Sequence, residues 1–69
     1  MEKHYITTTI LMALNDRMNE LEGYEQRAKE NIKTASDDED FKYWVESFNY
    51  WGKEIEDCEQ AKKFILNLA

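Results

Sequence analysis

The sequence predicts an all-α protein, an antiparallel hairpin of two long helices. Three observations predict it. Apolar residues recur at helical spacing through both halves, the chain has no proline and only two glycines, and a well-marked helix start divides it near its middle.

In the first half Ile10, Leu11, Leu14, Met18, Leu21, Tyr24, Ala28 and Ile32 fall on one helical stripe. Glu25–Lys29 and Glu30–Lys33 stand at favourable spacings on the polar side. The run Ile6-Thr7-Thr8-Thr9-Ile10 is β-branched and a weak helix former, so the start is placed between Lys3 and Thr9. The first helix is expected over about residues 5–33.

The break is expected at Thr34-Ala35-Ser36. Ser36 followed by Glu39 reads as a capping box. Asp37, Asp38, Glu39 and Asp40 then crowd the first turn, where the positive end of the helix dipole favours anions.

The second helix, expected over about residues 37–68, has the more regular pattern. Phe41, Trp44, Phe48, Trp51, Ile55 and Cys58 follow alternating steps of three and four, a heptad seam. Beyond Cys58 the seam takes Lys62 or shifts to Ala61, Ile65 and Leu68. Phe41-Lys-Tyr-Trp-Val-Glu-Ser is echoed by Phe48-Asn-Tyr-Trp-Gly-Lys-Glu, and its period is the heptad itself. It reads as packing periodicity within one domain covering residues 1–69.

So short a connection makes the helices antiparallel neighbours. A turn centred on residue 35 makes opposed positions add to roughly 70. Leu21 is then expected to face Phe48, Leu14 to face Ile55, Ile6 to reach Phe64 and Ile65, and Met18 to land near Gly52.

With Phe41, Phe48 and Ile55 at heptad position a and Trp44, Trp51 and Cys58 at d, Tyr43, Tyr50 and Phe64 all fall at c. That position lies about 100° from d, outside the seam one partner helix covers. Val45 and Leu66 widen the other flank at e, so the apolar arc spans about 200°. A single neighbouring helix does not bury such an arc, and exposed aromatic surface of this kind marks interfaces. Trp44 and Trp51 read first as packing residues, whereas Tyr43 and Tyr50 read equally as interface. The face is covered either by a second hairpin, as a homodimeric four-helix bundle, or by a different protein.

Net charge is −6 and unevenly spread. Residues 1–33 carry five Lys/Arg against six Asp/Glu, whereas residues 34–69 carry four against nine. An acidic chain is not expected to bind nucleic acid or an anionic membrane directly. The apolar stretch from Ile6 to Leu14 is far shorter than the ~20 residues of a membrane span. It also lacks the basic start and cleavage site of a signal peptide, so a cytoplasmic protein is expected.

Chemistry finds little support. Asp37–Asp40 lacks the alternate ligands and central glycine of a calcium loop and reads as a cap. His4 has no glutamate three residues before it, which removes the bundle di-metal motif, and one His with one Cys makes no zinc set. Cys58 sits on the seam far from His4, so no activated nucleophile is expected, and Gly-rich phosphate loops are absent. Arg17 interrupts the first stripe and is expected to lay its stem along the seam and reach a carboxylate such as Glu54. No cofactor, metal or catalytic residue is assigned.

The expected function is therefore non-enzymatic: a protein-binding regulator or inhibitor that occupies a partner's surface, with the acidic half steering it to a basic one. The candidate partner-binding residues are Tyr43, Trp44, Tyr50, Trp51, Phe64, Glu46, Glu54 and Asp57. Two alternatives stand beside it. One is a structural homo-oligomer. The other is an acidic nucleic-acid mimic, of counter-defence, antitoxin or immunity type, in which Glu46, Glu54, Glu56, Asp57 and Glu59 imitate phosphates while Lys42, Lys53, Lys62 and Lys63 dilute them.

Overall fold

A computed structural model describes residues 3–68 and shows the helical hairpin. Helix α1 runs Lys3–Lys33 and α2 runs Asp38–Leu68, packed antiparallel along their length in a rod of 54 × 15 × 12 Å.

The β-branched start does not delay α1. Thr9 donates its hydroxyl to the carbonyl of Tyr5 at 2.9 Å, which satisfies the polar group within the helix. At the other end Lys33 places positive charge in the last turn, as the dipole favours. The connection is residues 34–37, one residue longer than expected.

That extra residue reflects a shifted cap. Asp37, not Ser36, caps α2: its Oδ1 accepts the Asp40 N–H at 2.8 Å, and its carbonyl accepts the Phe41 N–H at 2.9 Å. Asp40 reaches back in turn and accepts the Ser36 N–H through Oδ2 at 3.3 Å. The sequence holds two overlapping boxes of equal spacing, Ser36/Glu39 and Asp37/Asp40. Aspartate caps as well as serine does, so local preference does not choose between them.

The seam in α1 also differs from the expected stripe. Asn31 aside, its least exposed residues are Thr7, Leu11, Leu14, Met18, Leu21, Glu25, Ala28 and Ile32, an unbroken heptad of fours and threes. Tyr24 is displaced to the flank, and Glu25 takes its place because it meets Gly52. A Cβ built on Gly52 would stand 3.2 Å from Glu25 Oε2, so the missing side chain makes room for the carboxylate. Met18 lies instead beside Glu59, Lys62 and Leu66. Glu25 with Gly52, and Tyr24 with Trp51, add to 77 and 75, where a turn centred on residue 35 gives roughly 70. The longer connection supplies part of the shift. The rest follows from side-chain direction: each Cβ leans toward its own helix's N-terminus, away from the turn in α1 and toward it in α2.

Arg17 is also off the seam. It pairs with Glu20, one turn along its own helix, and not with Glu54.

The core is thin. Among the described residues only Leu21, at 0% exposure, and Ala28, at 1%, are buried, and α2 buries none fully. A compact monomer of 8.3 kDa exposes about 4,600 Å², whereas this rod exposes 5510 Å². Its radius of gyration is 16.0 Å, against about 11 Å for a compact chain of this length.

Two outcomes test these assignments by thermal unfolding. Asp37→Ala is expected to cost ~1 kcal/mol and Ser36→Ala close to nothing, the reverse of what a Ser36 cap requires. Gly52→Ala is expected to raise the melting temperature. The gain in helix propensity, up to ~1 kcal/mol, exceeds the cost of nudging the free end of Glu25.

Candidate protein-binding face

Heptad geometry puts Tyr43, Tyr50, Asp57 and Phe64 on one stripe of α2, and all four are exposed. The three rings keep 60%, 58% and 64% of their surface in solvent; none folds back onto α1. The two tyrosines lean on their own helix. Tyr43 packs edge-on against Trp44 with ring centroids 4.9 Å apart, and Tyr50 packs likewise against Trp51 at 4.9 Å. The tryptophans are half-buried, with one side in the seam and one on the face. Such edge-to-face pairs hold the rings in place at small entropic cost.

Helix α1 completes the face. The Tyr24 ring packs on Trp51 with centroids 4.8 Å apart and planes tilted by 43°. Tyr24 and Arg27 then join Tyr43, Trp44, Ser47 and Trp51 around a groove of about 290 Å³. A second groove of about 320 Å³ adjoins it, lined by Tyr43, Glu46, Ser47, Tyr50 and Trp51. Ser47 is small, and its hydroxyl donates to the Tyr43 carbonyl at 3.0 Å. It forms a low floor between the two Tyr-Trp pairs.

The candidate residues are thus divided. Tyr43, Trp44, Tyr50, Trp51 and Glu46 come together. Phe64 shares their stripe but stands fourteen residues beyond Tyr50, about 21 Å along the axis. Exposed Asp57 lies between them, and Glu54 is half-buried on the stripe of Ser47. Tyr24 and Arg27 were not expected there. A strict heptad count along α1 passes through Leu21, Glu25 and Ala28 and leaves Tyr24 off the seam, so the sign was available in the sequence.

The exposed apolar residues favour one side of the rod. Seven-residue steps carry the Tyr24 stripe of α1 to Arg17 and Ile10, and the Ser47 stripe of α2 to Glu54, Ala61 and Leu68. Ile10, Tyr24, Tyr43, Tyr50, Phe64 and Leu68 are all exposed on this side. The opposite side carries Asn15, Glu22, Lys29, Asn49, Glu56 and Lys63, with Tyr5, Met12 and Leu66 its exposed apolar exceptions.

Among the described residues no three His, Cys, Asp or Glu side chains cluster as metal ligands would. No helix there is long and apolar enough to cross a membrane. The chain matches no protein family model, no curated protein and no solved structure.

Alanine substitutions separate the structural rings from the binding rings. In dilute protein Trp51→Ala is expected to cost ~2 kcal/mol, because it removes seam packing and two aromatic contacts. Tyr50→Ala is expected to cost under ~0.5 kcal/mol. Equal losses in denaturant titrations would mean that Tyr50 is a core residue.

Proposed function

We propose that this chain is a non-enzymatic, protein-binding regulator that acts in the cytoplasm by laying its aromatic face on another protein's surface. The observation that carries the proposal is the cluster of Tyr24, Tyr43, Trp44, Tyr50 and Trp51, ordered by ring-to-ring packing, with its three tyrosines exposed and its two tryptophans half-buried. Tyrosine and tryptophan bring large contact areas with few rotors to freeze, which is why they dominate binding hot spots.

Shape supports the same reading. The rod exposes about 900 Å² more than a compact chain of its mass, so apolar surface that a globule would enclose stays open. The Ser47 floor gives a partner side chain two recesses to enter, while Glu46 at the rim favours a basic neighbour.

Affinity capture with matched variants tests the proposal. Tyr43→Ala/Tyr50→Ala bait is expected to lose the partner that unmodified bait retains, while Asn49→Ala/Lys63→Ala on the opposite side keeps it. An apolar interface also predicts retention through a 0.5 M salt wash, whereas phosphate mimicry predicts release. Equal capture by all three baits sinks the aromatic face as the binding surface.

A further inference from the structure

We infer that the recess between Tyr43 and Tyr50 is a subsite for one arginine side chain of the partner protein, its guanidinium held between the two tyrosine rings and against the Glu46 carboxylate. The inference rests on the aromatic face being a binding surface, and it names the chemistry which that surface recognises.

Local geometry is the first ground. Tyr43, Glu46, Ser47 and Tyr50 stand at i, i+3, i+4 and i+7 of one helix, the corners of a diamond on its surface. Three corners carry long side chains. The fourth, Ser47, is small and tied down to its own helix by its bond to the Tyr43 carbonyl. The recess of about 320 Å³ lies over that serine, with Trp51 on its seam side.

The walls repeat. Each tyrosine packs edge-on against the tryptophan after it, with the same 4.9 Å between centroids and planes at 82° and 78°. One heptad therefore carries the first ring nearly onto the second, about 10.5 Å along the axis. A cation midway between them stands about 5 Å from each ring, within the ~6 Å reach of a cation–π contact.

Charge is the second ground. Glu46 is the one charged residue lining this recess, and it is exposed. Among the described residues Arg17 with Glu20 is the one ion pair, so Glu46 holds no cation even though Lys42 stands one turn before it. The adjoining groove shares Tyr43, Ser47 and Trp51 but has Arg27 where this one has Glu46. Its guanidinium repels a basic side chain. Aromatic surroundings are common to both recesses, and charge directs a cation to one of them.

The recess suits arginine better than lysine. A guanidinium is planar and weakly hydrated, so it lies against a ring while its edge donates to a carboxylate. An ammonium is a strongly hydrated point charge and gives up more on leaving water.

The test is an NMR titration of the isotope-labelled chain with the tripeptide acetyl-Gly-Arg-Gly-amide at constant ionic strength. Saturable millimolar binding is expected, with amide shifts centred on Ser47 and an upfield ring-current shift of the arginine δ-protons. Citrulline in place of arginine keeps the shape without the charge, and is expected to weaken binding about fivefold or more. Lysine in that place is expected to weaken it about twofold or more. Glu46→Gln is expected to weaken the arginine probe about threefold. Glu56→Gln removes the same charge from the opposite side and is expected to leave binding unchanged. Circular dichroism of both variants confirms that helix is retained. No saturable shift at Ser47, a citrulline or lysine probe that binds as well, or undiminished binding by Glu46→Gln overturns the inference. If it falls while Tyr43→Ala/Tyr50→Ala bait still loses its partner, the face stands and only its occupant is misassigned. If capture is equally insensitive to that double variant, the face falls with it.

Discussion

Two helices offer each other a single seam, and everything else about this chain follows from how little that seam can bury. A helix lying against one neighbour hides a stripe about two heptad positions wide. Here that leaves only Leu21 and Ala28 fully enclosed among the described residues, although both helices run to 31 residues. Lengthening such a hairpin adds seam and exposed flank in equal proportion, so the ratio of buried to open surface does not improve. The elongated rod is the consequence, and so is the apolar surface outside the seam.

The seam itself is built to close tightly where it can. Ala28 admits the opposite helix closely, and Gly52 admits the carboxylate end of Glu25. A charged residue at a seam position would ordinarily weaken the packing, but here the carboxylate end of Glu25 rests over the bare backbone of Gly52 and the residue stays half-exposed. Moving Glu25 inward frees Tyr24 to pack on Trp51 from outside. One glycine on α2 thereby shapes the aromatic face, because it settles which α1 residue lies within the seam and which flanks it.

Much of this was legible in the chain. The helices, the turn near residue 35 and the solvent-facing stripe of Tyr43, Tyr50 and Phe64 all come from period and punctuation, which act locally. The cap was not decided that way, because Ser36/Glu39 and Asp37/Asp40 satisfy the same rule one residue apart. Arg17 was assigned a partner across the seam, yet Glu20 lies one turn away on the same helix. A pair on one helix needs no tertiary contact, so its ordering cost is smaller.

By itself the sequence determined that the chain is two long helices with an overloaded second one, since hydrophobic period and helix punctuation are properties of each segment alone. Tertiary structure alone decided the register and the shared groove of Tyr24, Arg27, Tyr43 and Trp44. Those depend on how far one helix slides past the other. Side-chain tilt and a single missing Cβ set that offset, and neither can be read until the two surfaces meet.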